Sequence, residues 1–316
     1  MTSFCGSARL PARQRILVIK LGALGDFVQA CGPFAAIRAH HADAHITLLT
    51  TAPFVDFAKS SPWFDEVWLD TRPKLKNVLS WMALRTKLIG ARFRRVYDLQ
   101  TSDRSGFYFR LMWPIRPEWS GIVRGASHPH SNPQRDFMHT IERQKEQLAM
   151  ASISEVREPD YMWIPNLGDK FGLPRPFALL VPGGSRHRPE KRWPIERYAA
   201  LAARLAARDL TPVVLGAVDE RPLAAAIAQI APEARDLTGQ TSIADLFALA
   251  RDATLAVGND TGPMHAAAQI GCPAVVLFSA TSDPALCAPR GRGVRVLQSA
   301  DLTEIDLDDV LAATPS

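Results

Sequence analysis

One loop in the second half of the sequence combines glycines with polar residues in a way that could bind phosphate. Residues 258–265 follow an apolar segment typical of a strand, and an alanine-rich helical segment begins near Gly262. The first turn of a helix presents unpaired backbone N–H groups and about half a positive charge, so it can hold phosphate without a metal. The residues that we expect to contact such a ligand are Asp260, Thr261, Gly262 and His265.

Each of these residues also has a simpler interpretation. Asp260 or Thr261 could cap the helix, and His265 could be a core histidine whose hydrogen bonds are satisfied internally. Considered singly, the residues favour those interpretations. Considered together with the glycines on both sides, the segment favours close approach of the backbone to a ligand.

A second loop follows an apolar segment and contains two glycines and a run of cations. Residues 179–194 read L-L-V-P-G-G-S-R-H-R-P-E-K-R-W-P, and Pro194 suits the first turn of a helix. Cations beside backbone N–H groups at the carboxyl end of a strand suit a diphosphate, whereas the alternative is a solvated basic loop. The candidate ligands here are Gly184, Ser185, Arg188 and Lys191.

A carboxylate follows the first apolar segment of the chain. Residues 20–27 read K-L-G-A-L-G-D-F, in which Gly22 and Gly25 permit a tight turn and Asp26 lies near the start of a helix. Asp26 could be an N-cap worth about 1 kcal/mol, or a general base facing a cleft. A dinucleotide site is disfavoured because only G-x-x-G is present and no acidic residue ends the second strand.

Polar residues also follow the strand predicted at residues 95–99. Gln100, Ser102 and Arg104 lie at its carboxyl end, where they could meet an acidic sugar. The segment before it, residues 72–95, contains eight cations and no acidic residue, interleaved with apolar side chains. A basic amphipathic helix of this kind could contact an anionic membrane or lipid phosphates, and the alternative is a solvated face over an ordinary core helix.

The elements that must position these residues alternate between strand and helix. Segments of strand type occur at residues 16–20, 45–50, 66–69, 95–99, 177–181, 212–215, 254–257 and 274–278. This alternation predicts an α/β fold with parallel sheets covered on both faces. Prolines and glycines between residues 159 and 176 break helix and strand, which indicates a domain boundary. We expect domains at residues 1–165 and 166–316, facing each other across a cleft.

Composition narrows the class of protein. The chain has 316 residues, is 47% hydrophobic and carries a net charge of +5, so it can bury a large core and suits anionic partners. Its four cysteines have no metal-ligand spacing, so we expect reduced thiols and no zinc. The first 14 residues contain no apolar run typical of a signal peptide, and we expect a soluble protein.

Four motifs in order resemble glycosyltransferase family 9, the lipopolysaccharide heptosyltransferase family. They are G-A-L-G-D-F, P-G-G-S-x-x-x-x-E-K-R-W-P, L-T-G-Q-T-S-I-A-D-L and V-G-N-D-T-G-P-M-H, and the similarity covers most of residues 15–297 but is weaker between 72 and 161. The resemblance implies a GT-B fold, that is, two Rossmann-like domains with a central cleft. It also implies inverting transfer of a heptose from ADP-heptose to a lipopolysaccharide core acceptor.

The resemblance also assigns roles to residues. It implies that Asp26 is the catalytic base, that Lys191 binds the diphosphate, and that Ser185 and the N-D-T-G-x-x-H loop bind the donor. Residues 139–143 resemble an H-x-x-E-R helix near the acceptor, so we expect acceptor contacts from His139 as well as from Gln100 and Arg104.

We expect no metal, because Lys191, Ser185 and the helix start after Thr261 can stabilise the departing ADP and no D-x-D or His/Asp cluster appears at the cleft motifs. We also expect no cofactor other than the sugar-nucleotide donor, and no nucleic acid partner. The expected partners are ADP-heptose or another sugar nucleotide, a lipopolysaccharide core or other glycan acceptor, and the inner-membrane surface. The expected location is the cytoplasm, with peripheral attachment to the inner face of the cytoplasmic membrane. The alternatives are a GT-B enzyme that uses another sugar nucleotide, such as an epimerase, and a non-catalytic protein that binds nucleotide or glycan.

Overall fold

The computed structural model describes residues 13–74, 76–184 and 188–314 of the chain. Within these ranges it contains two β-sheets of six parallel strands each. The α/β class predicted from the sequence is therefore confirmed.

The first sheet has the strand order β3-β2-β1-β4-β5-β6. Its strands are β1 (Arg15–Ile19), β2 (His45–Thr50), β3 (Glu66–Leu69), β4 (Arg95–Asp98), β5 (Glu118–Gly121) and β6 (His128–Pro129). The helices of this half are α1 (Leu24–Gln29), α2 (Cys31–His40), α3 (Val55–Ser60), α4 (Val78–Gly90), α5 (Asp103–Leu111) and α6 (Thr140–Ala149).

The second sheet has the strand order β12-β11-β10-β7-β8-β9. Its strands are β7 (Phe177–Val181), β8 (Thr211–Val214), β9 (Arg235–Asp236), β10 (Leu255–Asn259), β11 (Ala274–Ser279) and β12 (Val294–Ser299). The helices of this half are α7 (Ile195–Ala206), α8 (Arg221–Ile230), α9 (Ile243–Asp252), α10 (Gly262–Gln269), α11 (Pro284–Cys287) and α12 (Leu307–Ala313).

The central strands are apolar along their whole length because both faces of each sheet are covered. In β7 all five residues are buried, with Phe177 and Leu179 in one apolar cluster and Ala178 and Leu180 in another. Successive side chains of a strand point to opposite faces, so a strand buried on both sides reads as a continuous apolar run. This run is the signal that made the central strands predictable.

All eight strands predicted from the sequence are confirmed to within two residues. Four strands were missed, namely β5, β6, β9 and β12. Two of them, β6 and β9, have only two residues each, and β12 is largely exposed, so none of these three has a long apolar run. The fourth, β5, has the sequence E-W-S-G, in which only the tryptophan is a large apolar residue.

The two halves of the molecule share one apolar cluster. Phe57 of the first half stacks on Phe247 of the second with ring centroids 5.4 Å apart, and the Tyr161 ring lies 4.6 Å from Phe247. Tyr161 belongs to the connection between α6 and β7, in which the domain boundary at residue 165 was predicted. The structure assigns no helix or strand to this connection, and the boundary itself stays a prediction.

Two glycines allow the halves to approach closely at α1 and α10. A Cβ atom on Gly25 would lie 2.8 Å from Cδ2 of His265, and one on Gly262 would lie 2.5 Å from Cγ of Leu24. Both distances are shorter than ordinary carbon contacts, so neither position accepts a larger residue without movement. The start of α1 is thereby held directly against the start of α10.

Among the described residues, the structure contains no helix that is both long enough and apolar enough to cross a membrane.

Candidate active site

A cavity of about 980 Å³, here called the large cavity, lies between the two halves. It is bounded by the start of α1 and by the segments that follow β7, β8 and β10. Ligands of open α/β sheets bind at this carboxyl edge of the strands. The predicted site residues that line it are Asp26, Gly184, Arg188, Lys191, Asp260, Thr261, Gly262 and His265. The prediction for Ser185 falls outside the described residues.

The loop after β10 is held in place by a buried asparagine that the sequence analysis did not single out. Oδ1 of Asn259 accepts hydrogen bonds from the Trp193 backbone N–H and the Tyr198 hydroxyl, both at 3.1 Å. Its Nδ2 donates to the carbonyls of Pro182 and Gly183 at 2.9 and 3.0 Å. Asn259 therefore joins the two predicted phosphate loops. The sequence signal that could have identified this residue is its position in the N-D-T-G motif.

Lys191 and Asp260 form an ion pair at the wall of the large cavity. Nζ of Lys191 lies 3.1 Å from Oδ2 of Asp260, and both side chains are mostly buried. An ammonium group has three N–H donors, so one bond to Asp260 leaves donors for a phosphate oxygen. The pair fixes the position of the lysine rather than occupying its whole donor capacity.

The first turn of α10 also faces the large cavity. Thr261 is its N-cap residue, but its hydroxyl bonds to the Asn259 carbonyl at 3.1 Å, and no described side chain caps the helix. Thr261 therefore occupies the predicted cap position without a side-chain cap bond, and the cap interpretation is wrong for Asp260, which lies one residue before the N-cap. Pro263 has no N–H group and the Met264 N–H bonds to the Thr261 carbonyl at 3.1 Å, so the Gly262 N–H, with the positive end of the helix dipole, is what this turn offers to an anion.

Glu220 shapes the opposite wall of the large cavity. Its carboxylate accepts hydrogen bonds from the backbone N–H groups of Gly184 at 2.9 Å and Ala217 at 2.8 Å. A Cβ atom on Gly183 or Gly216 would collide with this carboxylate, which explains why glycine occupies both positions. Glu220 thus organises the loop after β7.

Asp26 is exposed and lies in the third position of α1, whose N-cap residue is Ala23. The N-cap interpretation of Asp26 is therefore wrong. Its Oδ2 accepts the Ala23 backbone N–H at 3.3 Å, which orients the carboxylate and leaves Oδ1 for another donor. Asp26 lines the large cavity and also a second cavity in the first half of the molecule.

The second cavity, here called the polar cavity, has a volume of about 230 Å³ and is lined almost entirely by polar residues. Besides Asp26 it is lined by Lys20, Leu99, Gln100, Thr101, Arg135, Thr140, Arg143, Gln144 and Gln147. Three of these side chains are cations, and the cavity opens beside a carboxylate that also faces the large cavity. It therefore suits a polar, anionic molecule.

The cations of the polar cavity are fixed by short contacts. Nζ of Lys20 donates to the Leu99 carbonyl at 3.1 Å, and burial lowers the pKa of this amine. Arg135 donates to Thr101 Oγ1 at 2.8 Å, and Arg143 donates to Thr140 Oγ1 at 2.9 Å. Sequence reasoning missed Arg135, which lies 34 residues from its threonine partner.

Two buried polar atoms of the residues lining this cavity have no hydrogen-bond partner within the described part of the chain. They are Nε of Arg135 and Oε1 of Gln144. A buried polar group without a partner costs about 1–3 kcal/mol, so such atoms call for an explanation. A polar ligand bound in this cavity would supply the missing hydrogen-bond partners.

The loop after β4 is organised by a buried aspartate. Oδ1 of Asp98 accepts the backbone N–H groups of Gln100 and Thr101 at 3.1 and 2.9 Å. Burial raises the pKa of Asp98 to about 6. Gln100, predicted as an acceptor ligand, lines the polar cavity, and its Oε1 accepts the Leu21 backbone N–H at 2.8 Å.

The other two predicted acceptor ligands line neither cavity. The Arg104 guanidinium lies over the Trp81 ring, 5.7 Å from its centroid. His139 is buried at the start of α6, where Nδ1 accepts the Ile141 N–H and Nε2 donates to the Ala288 carbonyl at 3.0 Å. Burial lowers the pKa of His139, which keeps the ring neutral. His139 therefore joins the two halves of the molecule.

His265 also connects the halves. Its Nδ1 lies 3.0 Å from Nε2 of Gln29 in α1, and the same amide nitrogen donates to the Cys287 carbonyl at 3.2 Å. Burial lowers the pKa of His265 to about 4, so the ring is neutral and Nδ1 can accept from the amide. A contact between α1 and α10 is thus built into the wall of the large cavity.

Comparison with known proteins identifies the group to which this architecture belongs. The family model described as glycosyltransferase family 9 (heptosyltransferase) matches residues 81–305. Lipopolysaccharide heptosyltransferase 2 of Salmonella typhimurium is 31% identical over 90% of this chain and 88% of its own length. Lipooligosaccharide heptosyltransferase 2 of Haemophilus influenzae is 33% identical over a shorter match, which covers 34% of this chain and 32% of that relative.

Solved structures agree in fold. The family 9 glycosyltransferase of Veillonella parvula superposes with a TM-score of 0.81 at 20% identity, over 95% of both chains. The Escherichia coli ADP-heptose lipopolysaccharide heptosyltransferase II superposes with a TM-score of 0.76 at 22% identity, over 95% of this chain and 97% of that one. The GT-B fold is confirmed, and the chain is a glycosyltransferase that belongs to family 9, the heptosyltransferase family of lipopolysaccharide core biosynthesis.

Proposed function

We propose that this protein transfers a heptose from ADP-heptose to a sugar of the lipopolysaccharide core with inversion at the anomeric carbon. The observation that carries the proposal is the position of Asp26, which lines both the large cavity and the polar cavity. A base placed where two cavities meet can contact both substrates of a transfer reaction. The relative of known structure from Escherichia coli is an ADP-heptose enzyme, which supports the choice of donor.

In the proposed reaction, Asp26 removes the proton from an acceptor hydroxyl in the polar cavity. The hydroxyl oxygen forms a bond to the anomeric carbon of the heptose, while the bond from that carbon to the diphosphate oxygen breaks. The electron pair of the broken bond leaves with ADP, and the proton remains on Asp26. A base positioned in this way contributes about 10²–10⁴-fold to the rate.

The departing diphosphate gains negative charge, and the large cavity offers two groups that stabilise it. The first is the Lys191 ammonium, held by Asp260 at 3.1 Å. The second is the uncapped first turn of α10. Preorganised donors aimed at developing charge are an effective source of catalysis, and here they supply positive charge at the leaving group without a metal ion. We therefore propose a reaction that needs neither a metal nor a cofactor.

The polar cavity indicates the chemical class of the acceptor. Lys20, Arg135 and Arg143 surround a space next to Asp26, and Nε of Arg135 is unpartnered among the described residues. Guanidinium groups bind carboxylates and phosphates through paired N–H donors. We propose that an acidic or phosphorylated core sugar binds here. We also propose that the reaction takes place in the cytoplasm at the inner face of the cytoplasmic membrane and that no nucleic acid takes part.

The experiment is a transfer assay with purified protein, a defined core acceptor and a series of sugar nucleotides that includes ADP-heptose. We expect ADP release that depends on the acceptor and a product with inverted anomeric configuration, undiminished in the presence of a chelator. Transfer from another sugar nucleotide but not from ADP-heptose would show that the proposed donor is wrong. Epimerisation without an acceptor would show that the proposed reaction is wrong. Nucleotide binding without any turnover would indicate a non-catalytic protein, and strict dependence on Mg²⁺ would contradict the metal-free mechanism.

A further inference from the structure

The helices α4 and α5 carry a group of large apolar side chains that the protein does not cover. Every residue of α4 is described, and of its thirteen residues the helix buries only Leu88. Leu79 is 79% exposed and Met82 59% exposed. The apolar residues of this surface, here called the α4–α5 face, are Val78, Leu79, Met82, Phe107, Trp113 and Ile115.

Two contacts hold the elements that carry these residues side by side. The ring of Trp81 in α4 lies 5.0 Å from the ring of Phe107 in α5, measured between centroids. Arg85 of α4 donates to the Trp113 carbonyl at 2.8 Å, which brings the segment after α5 against α4. The exposed apolar side chains therefore lie on adjacent elements, and a group of this kind marks an interaction site.

The charge around the face is predominantly positive. Residues 71–117 contain eleven lysines and arginines and only two acidic residues, namely Asp98, which is buried, and Asp103 in the first turn of α5. A symmetric contact with a second copy would place the same patch on both sides, so cations would face cations. An anionic lipid surface complements the cations and accepts the apolar side chains below its headgroups.

The starts of α4 and α5 lie at the same edge of the first sheet as the polar cavity, whereas Trp113 and Ile115 lie between the end of α5 and the start of β5. α4 follows β3 and α5 follows β4, and the carboxyl ends of parallel strands share one edge of a sheet. Gln100 and Thr101, which precede α5, line the polar cavity. A bilayer against the part of the face at the starts of the two helices, which includes Val78 and Leu79, would therefore lie next to the cavity that we assign to the acceptor.

We infer that the α4–α5 face docks on an anionic phospholipid bilayer and brings the polar cavity to the membrane surface. This inference extends the proposed function, since it supplies the location of a lipid-anchored acceptor. Its test measures binding without turnover, so the docking and the reaction can fail separately.

The experiment is cosedimentation of the full chain with vesicles. We expect binding to vesicles of phosphatidylethanolamine with phosphatidylglycerol, weakened by salt, and much weaker binding to vesicles of phosphatidylcholine alone. The double variant Lys74→Gln/Lys76→Gln should lower the partition coefficient about 25-fold, because each cation near an anionic membrane contributes about five-fold. Leu79→Ser/Met82→Ser should lower it by about ten-fold or more by removing the inserted side chains.

Matched controls lie on the second half of the molecule. Arg204→Gln/Arg208→Gln removes two exposed cations, and Ile230→Ser removes an exposed apolar side chain, so each should bind vesicles like the wild type. The replaced side chains of all these variants are exposed, and melting temperatures will verify folding. Absence of wild-type binding to anionic vesicles, or α4 variants that bind like the wild type, would overturn the inference. So would a dimer, seen by light scattering, that the Leu79→Ser/Met82→Ser variant abolishes.

Discussion

Replacing Gly262 with alanine is expected to separate the two helices that meet between the halves of the molecule. The added Cβ would lie 2.5 Å from Cγ of Leu24 and 2.6 Å from its Cβ. Carbon atoms in contact are about 3.5–4.0 Å apart, so α1 and α10 must move apart by roughly 1 Å. Because Asp26 is on α1 and the donor loop precedes α10, the base moves relative to the donor site.

The size of the effect follows from that displacement. A misplacement of roughly 1 Å can lower catalysis by about 100-fold, and the added methyl group is expected to lower the free energy of unfolding by about 1–3 kcal/mol. The assay is kcat/KM for transfer, with ADP affinity by calorimetry and stability by denaturant unfolding. Transfer should fall far more than ADP affinity, because the ADP-binding groups stay together on the second half.

Two further variants make this test specific. The double variant Gly262→Ala/Leu24→Gly removes both Cβ and Cγ of Leu24, and with them the clash, so it should recover part of the lost transfer rate, which a double-mutant cycle would report as coupling. Gly90→Ala is the control, because a Cβ there meets no atom within 4 Å. A Gly262→Ala enzyme with wild-type kcat/KM, or absence of coupling with Leu24→Gly, would refute the reasoning.

Three other expectations concern charges of the site. Lys191→Ala should weaken ADP binding by about ten-fold or more, because a hydrogen bond from a charged group is lost, whereas Lys145→Ala on the surface of α6 should leave calorimetric ADP affinity unchanged. Arg143→Gln should raise KM for an anionic acceptor and leave the donor KM unchanged in steady-state kinetics; equal effects on both would contradict the assignment of the polar cavity. The pKa of His265 is lowered by burial to about 4, so an unfolded histidine binds a proton between about pH 6.5 and 4 that the folded one does not. The free energy of unfolding should therefore fall as pH is lowered through that window. His265→Asn should make this fall smaller in denaturant titrations at pH 7 and 5. If the variant and the wild type lose the same free energy of unfolding between the two pH values, the buried neutral ring is contradicted.

Much of the large cavity could be predicted because its residues follow strands with strong local signals. The apolar runs of β7 and β10 end at glycines, so the positions of Gly184 and Gly262 at the carboxyl edge follow from short-range patterns. Short-range patterns could not predict the ion pair between Lys191 and Asp260, because the two residues are 69 positions apart in the sequence. Asn259 was missed for the same reason, because its partners lie 61 to 77 positions away.

The polar cavity was harder to predict because it is assembled from several elements. Gln100 was found because it follows a predicted strand, whereas Arg135 begins a 3-10 helix of three residues, Arg135–Phe137, which is too short to give a periodic pattern. His139 matched a family motif, yet its ring bonds to the Ala288 carbonyl, a contact that depends on how the two halves pack. Arg104 has the right charge, but its guanidinium lies over Trp81. Sequence spacing fixes the element that carries a side chain and not the surface that it faces.

The measurement that tests the central claim most directly is the transfer rate of Asp26→Asn alongside its ADP affinity. The substitution keeps the size of the side chain and removes the proton acceptor, so we expect kcat to fall by about 10²–10⁴-fold while ADP affinity stays unchanged. Asp103→Asn, an exposed carboxylate in the first turn of α5, is the matched control and should be fully active. An Asp26→Asn enzyme with the wild-type kcat would contradict the assignment of Asp26 as the base between the two cavities.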